Sequence, residues 1–168
     1  MTRAESFKVF LKHFSEEPLP VTLSDEIVRH FSGSNPPLDA DSIRRYIDPN
    51  PIEEDEDITE YIACCRIPNT KDFEAVVYWK GTLLTYEYVL ATYSKAGIQI
   101  AKKVIAGIKA DGQNVKRSVA TIEEDFGIQI VVGQQGANDR LYDPSLSQSM
   151  SMDILSNGDI ALSPSEES

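Results

Sequence analysis

The stretch FEAVVYWKGTLLTYEYVLATYSKAGIQIAKKVIAGI, residues 73–108, decides the fold. Its first part alternates Phe73, Ala75, Val77 and Trp79 with Glu74, Val76, Tyr78 and Lys80, the period-two pattern of a strand. Gly81-Thr82 makes a tight connection. Residues 83–93 read as a second strand, with Leu84, Tyr86, Tyr88 and Leu90 on one face. Residues 94–97 turn, and Gly97 is available for a positive φ there. Residues 98–108 return as a third strand, carrying Ile98, Ile100, Val104, Ala106 and Ile108 in period two. Connections this short force antiparallel neighbours, because a parallel crossover needs about a dozen residues or more.

The same pattern continues downstream. Asp111-Gly112 is a hairpin signal, after which residues 114–123 return with Val115, Val119 and Thr121 alternating. Phe126, Ile128, Ile130 and Val132 share one face of the next strand, at 126–132. Residues 133–148 read as a polar loop. Met150, Met152 and Ile154 then alternate, and Asn157-Gly158 turns the chain into a last strand at 160–162. A further strand, 61–67, precedes the opening stretch.

Upstream the period is helical. Phe7, Phe10, Leu11 and Phe14 lie at i, i+3, i+4, i+7, which predicts a helix over 6–14. A second is expected over 22–31, with Ser24 as N-cap and Asp25 and Glu26 in the first turn. Residues 39–47 hold a third helical turn bearing Ile43, Tyr46 and Ile47. The fold class is therefore α+β, mainly β. Two or three short N-terminal helices precede a seven- to eight-stranded antiparallel β-meander, either a twisted open sheet or a closed barrel. The organisation expected is a helical segment at 1–50 packing on the sheet, an acidic linker at 51–60, the antiparallel β domain at 61–162 and a tail at 163–168.

The net charge of −11 is unevenly spread. Residues 51–60 hold six carboxylates and no cation, while 61–125 hold nine basic and seven acidic groups. A chain this acidic repels nucleic acid and anionic lipid unless a basic face compensates, so neither is expected as a partner. No apolar run approaches the roughly 18 residues of a membrane helix, and residues 1–10 lack the apolar core of a secretory signal. A cytoplasmic location is expected.

The familiar enzyme motifs are missing: no phosphate loop, no dinucleotide-binding glycine pattern, no nucleophile elbow and no zinc-protease pair. Gly133-Gln134-Gln135-Gly136 opens onto polar loop rather than a helix. His13 and His30, the two histidines, fall near helix C-termini, where the dipole favours an imidazolium. Cys64 and Cys65 are adjacent in a strand, so they are expected on opposite faces, one buried and one partly exposed. A nucleophilic thiol there would need a lowered pKa, with only Arg66 nearby. The run 53–57 reads as a solvated linker rather than a cation site. No catalytic residue, metal site or cofactor is expected.

Two groups of residues remain as candidate binding sites. Tyr78, Trp79, Tyr86, Tyr88 and Tyr93 gather on neighbouring strands. They stabilise the sheet as cross-strand pairs, or, with Glu87, they line a pocket for an apolar or planar ligand. Lys102, Lys103, Lys109, Lys116 and Arg117, with Lys95, stand against Asp111 alone in 95–117. These cations form an anion patch for an acidic partner, or they are covered by the chain's own acid, or Lys102 and Lys103 protect a sheet edge.

The passage Tyr88-Val-Leu-Ala-Thr-Tyr93, Ser94-Lys-Ala-Gly97, Ile98-Gln-Ile100 and Val104-Ile-Ala-Gly107 resembles a hairpin of small uncharacterised bacterial β-rich proteins. Ile154-Leu-Ser-Asn-Gly-Asp-Ile160 is similar to their closing hairpin. The resemblance covers residues 60–162. It implies a bacterial single-domain β-meander and carries no activity or cofactor. The functional expectation is a non-catalytic intracellular binding or protein-interaction module with an unidentified protein or small-molecule partner. The alternative is a small-molecule-binding β-barrel, with or without an enzymatic step.

Overall fold

The structure is a computed structural model that describes residues 2–49, 59–82, 85–111, 114–136 and 148–163. The acidic run 53–57, most of the tail, Leu84 and Gly112 lie outside the described residues.

Helix α1 (Arg3–Leu11) starts three residues earlier than its aromatic stripe implies. Thr2 accepts from the Glu5 amide while the Glu5 carboxylate accepts from the Thr2 amide, a reciprocal cap that satisfies two otherwise orphaned donors. The helix ends before Phe14, yet Phe14 stays in the same aromatic cluster. Strand β1 (Ser15–Glu16) and strand β2 (Val21–Leu23) follow. Helix α2 (Ile27–Ser34) is shorter than the expected 22–31 span at its start, and Ser24 does not cap it. The short α3 (Ala40–Ser42) is capped by Asp39 and runs into a π-helical turn, Ile43–Ile47.

Eight strands then follow in sequence order: β3 (Glu60–Arg66), β4 (Phe73–Gly81), β5 (Tyr86–Ser94), β6 (Gln99–Asp111), β7 (Asn114–Ile122), β8 (Gly127–Gly136), β9 (Gln148–Ile154) and β10 (Ile160–Leu162). Each pairs antiparallel with the next, so the meander is as the alternation implies. β1 adds to β3 in parallel. The sheet is open, with β1 and β10 at its ends. β8 and β9 extend into 133–136 and from 148, so part of the expected polar loop is paired backbone.

One feature of the ladder shapes the whole molecule. β7 pairs with β6 only along 114–118, opposite Gly107–Asp111. Beyond that point β6 diverges, and β2 takes its place against β7, pairing Leu23 with Ala120 and Val21 with Ile122. This is why residues 21–23 are strand despite the capping signals that follow them. The edge of β7 needs a hydrogen-bonding partner, and tertiary context overrides a local cap.

The sheet thus divides at Gly107 into two leaves. One core lies between them and includes Leu23, Phe31, Val77, Tyr88, Leu90, Ala120, Ile122, Ile128, Ile130 and Met152. A second core covers the outer face of β3–β5, where Phe7, Phe10, Phe14, Tyr46 and Ile47 pack on Val76, Tyr78, Val89 and Tyr93. Phe10 stacks on Tyr46 at 4.7 Å and meets Phe14 edge-on at 5.0 Å. β4 and β5 are therefore buried on both faces.

Bulges correct two expectations about faces. Cys64 and Cys65 do not point to opposite sides. The register slips between Ala63 and Cys65, and both thiols are buried in the core between the leaves. In β6 the slip opposite Tyr88/Val89 puts Ile105 and Ala106 together in that core and leaves Val104 exposed, so the expected period-two face is broken. A third correction concerns His30, which sits inside α2 rather than at its end and faces Glu17 at 3.8 Å. His13 does follow α1; its Nδ1 lies 3.2 Å from the Phe10 carbonyl and its Nε2 3.6 Å from Asp39.

Candidate functional site: the cleft where the sheet divides

Where β6 leaves β7, the two leaves enclose a groove of about 450 Å³. Val104, Ile105 and Ile108 of β6 form one wall, and Ile130, Val132 and Met150 of β8 and β9 the other. Tyr86, Glu87, Lys109 and Lys116 stand at its rim. The volume falls in the usual range for small-ligand sites, roughly 300–1,000 Å³. Val104 is 52% exposed and Met150 43%, high for side chains of this kind.

Gly107 is the hinge of this geometry. Its φ is +146°, and a Cβ there would lie 2.2 Å from the Tyr86 carbonyl oxygen. Only glycine lets the two backbones approach this closely while the strand bends.

Lys109 and Lys116 face each other directly across the β6–β7 ladder. Like charges in that position repel. Among the described residues neither side chain has an ion-pair or hydrogen-bond partner, and the same holds for the side chains of Lys102 and Lys103 on β6. Arg117, by contrast, is bound to Asp25, with Nε 3.2 Å from Oδ2. Lys95 is bound to Glu74 at 2.8 Å. The anion patch read from the sequence is thus divided. Lys109 and Lys116 reach the groove, Lys102 borders a small outer-face hollow beside Tyr61, Tyr78 and Glu87, and Arg117 is occupied.

The aromatic group is divided as well. Tyr78 is buried on the outer face beside Tyr61. Trp79, Tyr86 and Tyr88 lie on the opposite side of the sheet, Trp79 stacked on Tyr86 at 5.7 Å. The Tyr88 hydroxyl donates to the Ser24 carbonyl at 2.6 Å, and the Tyr86 hydroxyl donates to Asp25. Both hydroxyls are therefore used to hold the β2–α2 connection. Burial and, for Tyr86, the bond to Asp25 push these phenols well above their ordinary range. The Trp79 Nε1 is buried with no partner among the described residues.

The thiols are unsuited to nucleophilic chemistry. Burial pushes Cys65 up to about 12 and Cys64 well above its ordinary value, so both are protonated at neutral pH. Among the described residues no three histidine, cysteine or carboxylate side chains gather as a metal site, and no helix is long and apolar enough to cross a membrane.

A second, wider hollow of about 660 Å³ lies between Glu16, Glu17, Leu19, Asn69, Glu124 and Phe126. It was not legible in the sequence. Asn69 and Phe126 both adopt positive φ there, +64° and +69°. Among the described residues its lining holds three carboxylates and no lysine or arginine, so it offers less chemistry than the groove at Gly107. The groove did have a sequence signal. A glycine inside a strand marks a bulge or a close backbone approach, and the hairpin at 111–114 sets Lys109 opposite Lys116.

Comparison with protein-family models, with curated proteins and with solved structures finds no match to this chain, so the reading of its function rests on the geometry alone.

Proposed function

We propose that the chain is a non-catalytic binding module whose groove at Gly107 receives a ligand with an apolar body and a negative charge. The carrying observation is the pair Lys109 and Lys116, opposed in register and unpartnered among the described residues, at the mouth of a groove walled by Val104, Ile130 and Met150. An anion between the two ammonium groups relieves their repulsion, and an apolar body covers the exposed side chains. Among the described residues no acid–base pair or activated nucleophile lines the groove, which favours binding over catalysis.

Anilinonaphthalene sulfonate, an apolar anion whose fluorescence rises in apolar sites, tests the reading. The native protein brightens the probe in a saturable way. Met150→Glu, and separately Lys109→Glu with Lys116→Glu, remove most of that signal while circular dichroism stays native. Unchanged brightening in both variants refutes the assignment.

A further inference from the structure

The divergence at Gly107 does more than open a groove. β6 pairs with β5 from Gln99 to Ile108, but with β7 only from Gly107 onward. The other edge of β6, residues 99–106, pairs with no strand among the described residues. Near its start the β9–β10 turn leans against it, since a Cβ on Gly158 would touch Ile100 and the Thr92 hydroxyl donates to the Gly158 carbonyl. From Ala101 to Val104 this edge is half-exposed or exposed and leads to the groove, whose lining begins at Val104; Ile105 and Ala106 are buried in the core between the leaves.

We infer that the occupant of the groove is an extended acidic peptide segment that adds to this edge of β6 as a further strand. The inference rests on the proposed reading of the groove and deepens it. An open edge presents main-chain N–H and C=O groups that a strand satisfies and a compact small molecule does not. The four accessible residues of edge, 101–104, span about 13 Å at roughly 3.3 Å per residue, enough to register a short recognition segment.

Charge selects an acidic segment. Lys102 and Lys103 are consecutive and pair in step with Ala91 and Leu90, so they stand on opposite faces of the strand. An added strand meets one cation on each face, whichever face its acidic side chains take. At the apex it meets Lys109 and Lys116. Glu87, the one carboxylate at the rim among the described residues, lies opposite Lys80 and Gly107 in the ladder. The chain as a whole carries a net charge of −11, so an acidic segment is drawn to a local cluster of cations such as this one rather than to the molecule at large. Lysines on an unpaired edge also hinder pairing between copies of the chain, which leaves the edge to a partner of opposite sign.

The test uses the full chain and the peptide acetyl-(Glu-Val)₄-amide, with an analogue N-methylated at alternate residues. Methylation removes the main-chain donors of one edge and keeps the charge. Titration calorimetry is run near 50 mM and near 500 mM salt, beside the anilinonaphthalene sulfonate assay. The unmodified peptide is expected to bind, with affinity about tenfold or more weaker at high salt and in Lys102→Glu with Lys103→Glu. The methylated peptide binds at least about tenfold more weakly, reflecting lost main-chain bonds. Amide exchange at 101–104 slows in the complex with the unmodified peptide. Equal binding of the two peptides overturns strand addition. So does absence of peptide binding where the fluorescent anion still reports the groove, in which case the groove reading stands alone. Absence of both signals overturns both.

Discussion

Replacing Gly107 by alanine tests whether the bend in β6 holds the two leaves in place. An L-residue forced to φ +146° costs about 1–3 kcal/mol. The new Cβ also falls 2.2 Å from the Tyr86 carbonyl oxygen and 3.0 Å from the Glu87 Cα. Both are backbone atoms of β5 and cannot rotate away. The β5–β6 ladder must shift at Glu87–Gly107, weakening at least one strand hydrogen bond at about 1 kcal/mol. Alanine restricts the unfolded chain and returns about 0.4–1 kcal/mol. The net destabilisation is about 1–3.5 kcal/mol, a large share of the roughly 5–15 kcal/mol that holds a domain of this size together. Urea unfolding followed by the fluorescence of Trp79, the only tryptophan, measures it directly. Gly33→Ala is the matched control. Gly33 lies in α2 with nothing within 4 Å of an added Cβ, so that change stabilises by up to about 1 kcal/mol. If Gly107→Ala unfolds within about 0.5 kcal/mol of the native chain, the hinge argument fails.

Three further outcomes follow from the geometry. Glu74 is buried between Arg66 at 2.7 Å and Lys95 at 2.8 Å, while both cations reach solvent. Glu74→Ala therefore destabilises by about 1–2 kcal/mol, less than a fully buried pair, as read by the urea midpoint at constant slope. Cys64 and Cys65 resist dithiobis(nitrobenzoic acid) in the native protein and react together once it is unfolded; rapid labelling of either thiol in the native state contradicts their burial. The buried phenols and thiols hold their protons more tightly folded than unfolded, Tyr61 and Cys65 each pushed up to about 12 by burial, with Asp48 adding to the shift at Tyr61 and Glu17 at Cys65. The stability they contribute is fully present below the unfolded values of 9.0 and 10.0 and is lost as pH rises through the range up to about 12. Circular dichroism and tyrosinate absorbance should change together in that window; ionisation without unfolding contradicts the reasoning.

Much of the architecture is a local matter, which is why it can be read along the chain. Alternation in 73–93 and 126–132, with Gly97 and Asn157-Gly158 between strands, makes an antiparallel meander the arrangement that buries one set of side chains with short connections. The aromatic stripe of Phe7, Phe10 and Phe14 likewise requires an apolar surface, and Val76, Tyr78 and Tyr93 on the second face of β4 and β5 supply it.

The site depends on events between strands. Whether Cys64 or Ile105 becomes the extra residue of a bulge depends on the partner strand's register, which no single segment contains. Residues 21–23 become a strand because β6 has left β7 unpaired, although the Ser24-Asp25-Glu26 signals beside them favour a helix start. The two candidate groups, aromatic and cationic, were visible as residue types. Tertiary structure turned Tyr88 inward against Ser24, tied Arg117 to Asp25 and left Lys109 and Lys116 facing each other beside the groove. Composition and periodicity determine which side chains seek burial and how the backbone repeats. Where a sheet bends, splits or stops is decided by backbone hydrogen bonds made across distances in sequence that local pattern does not encode.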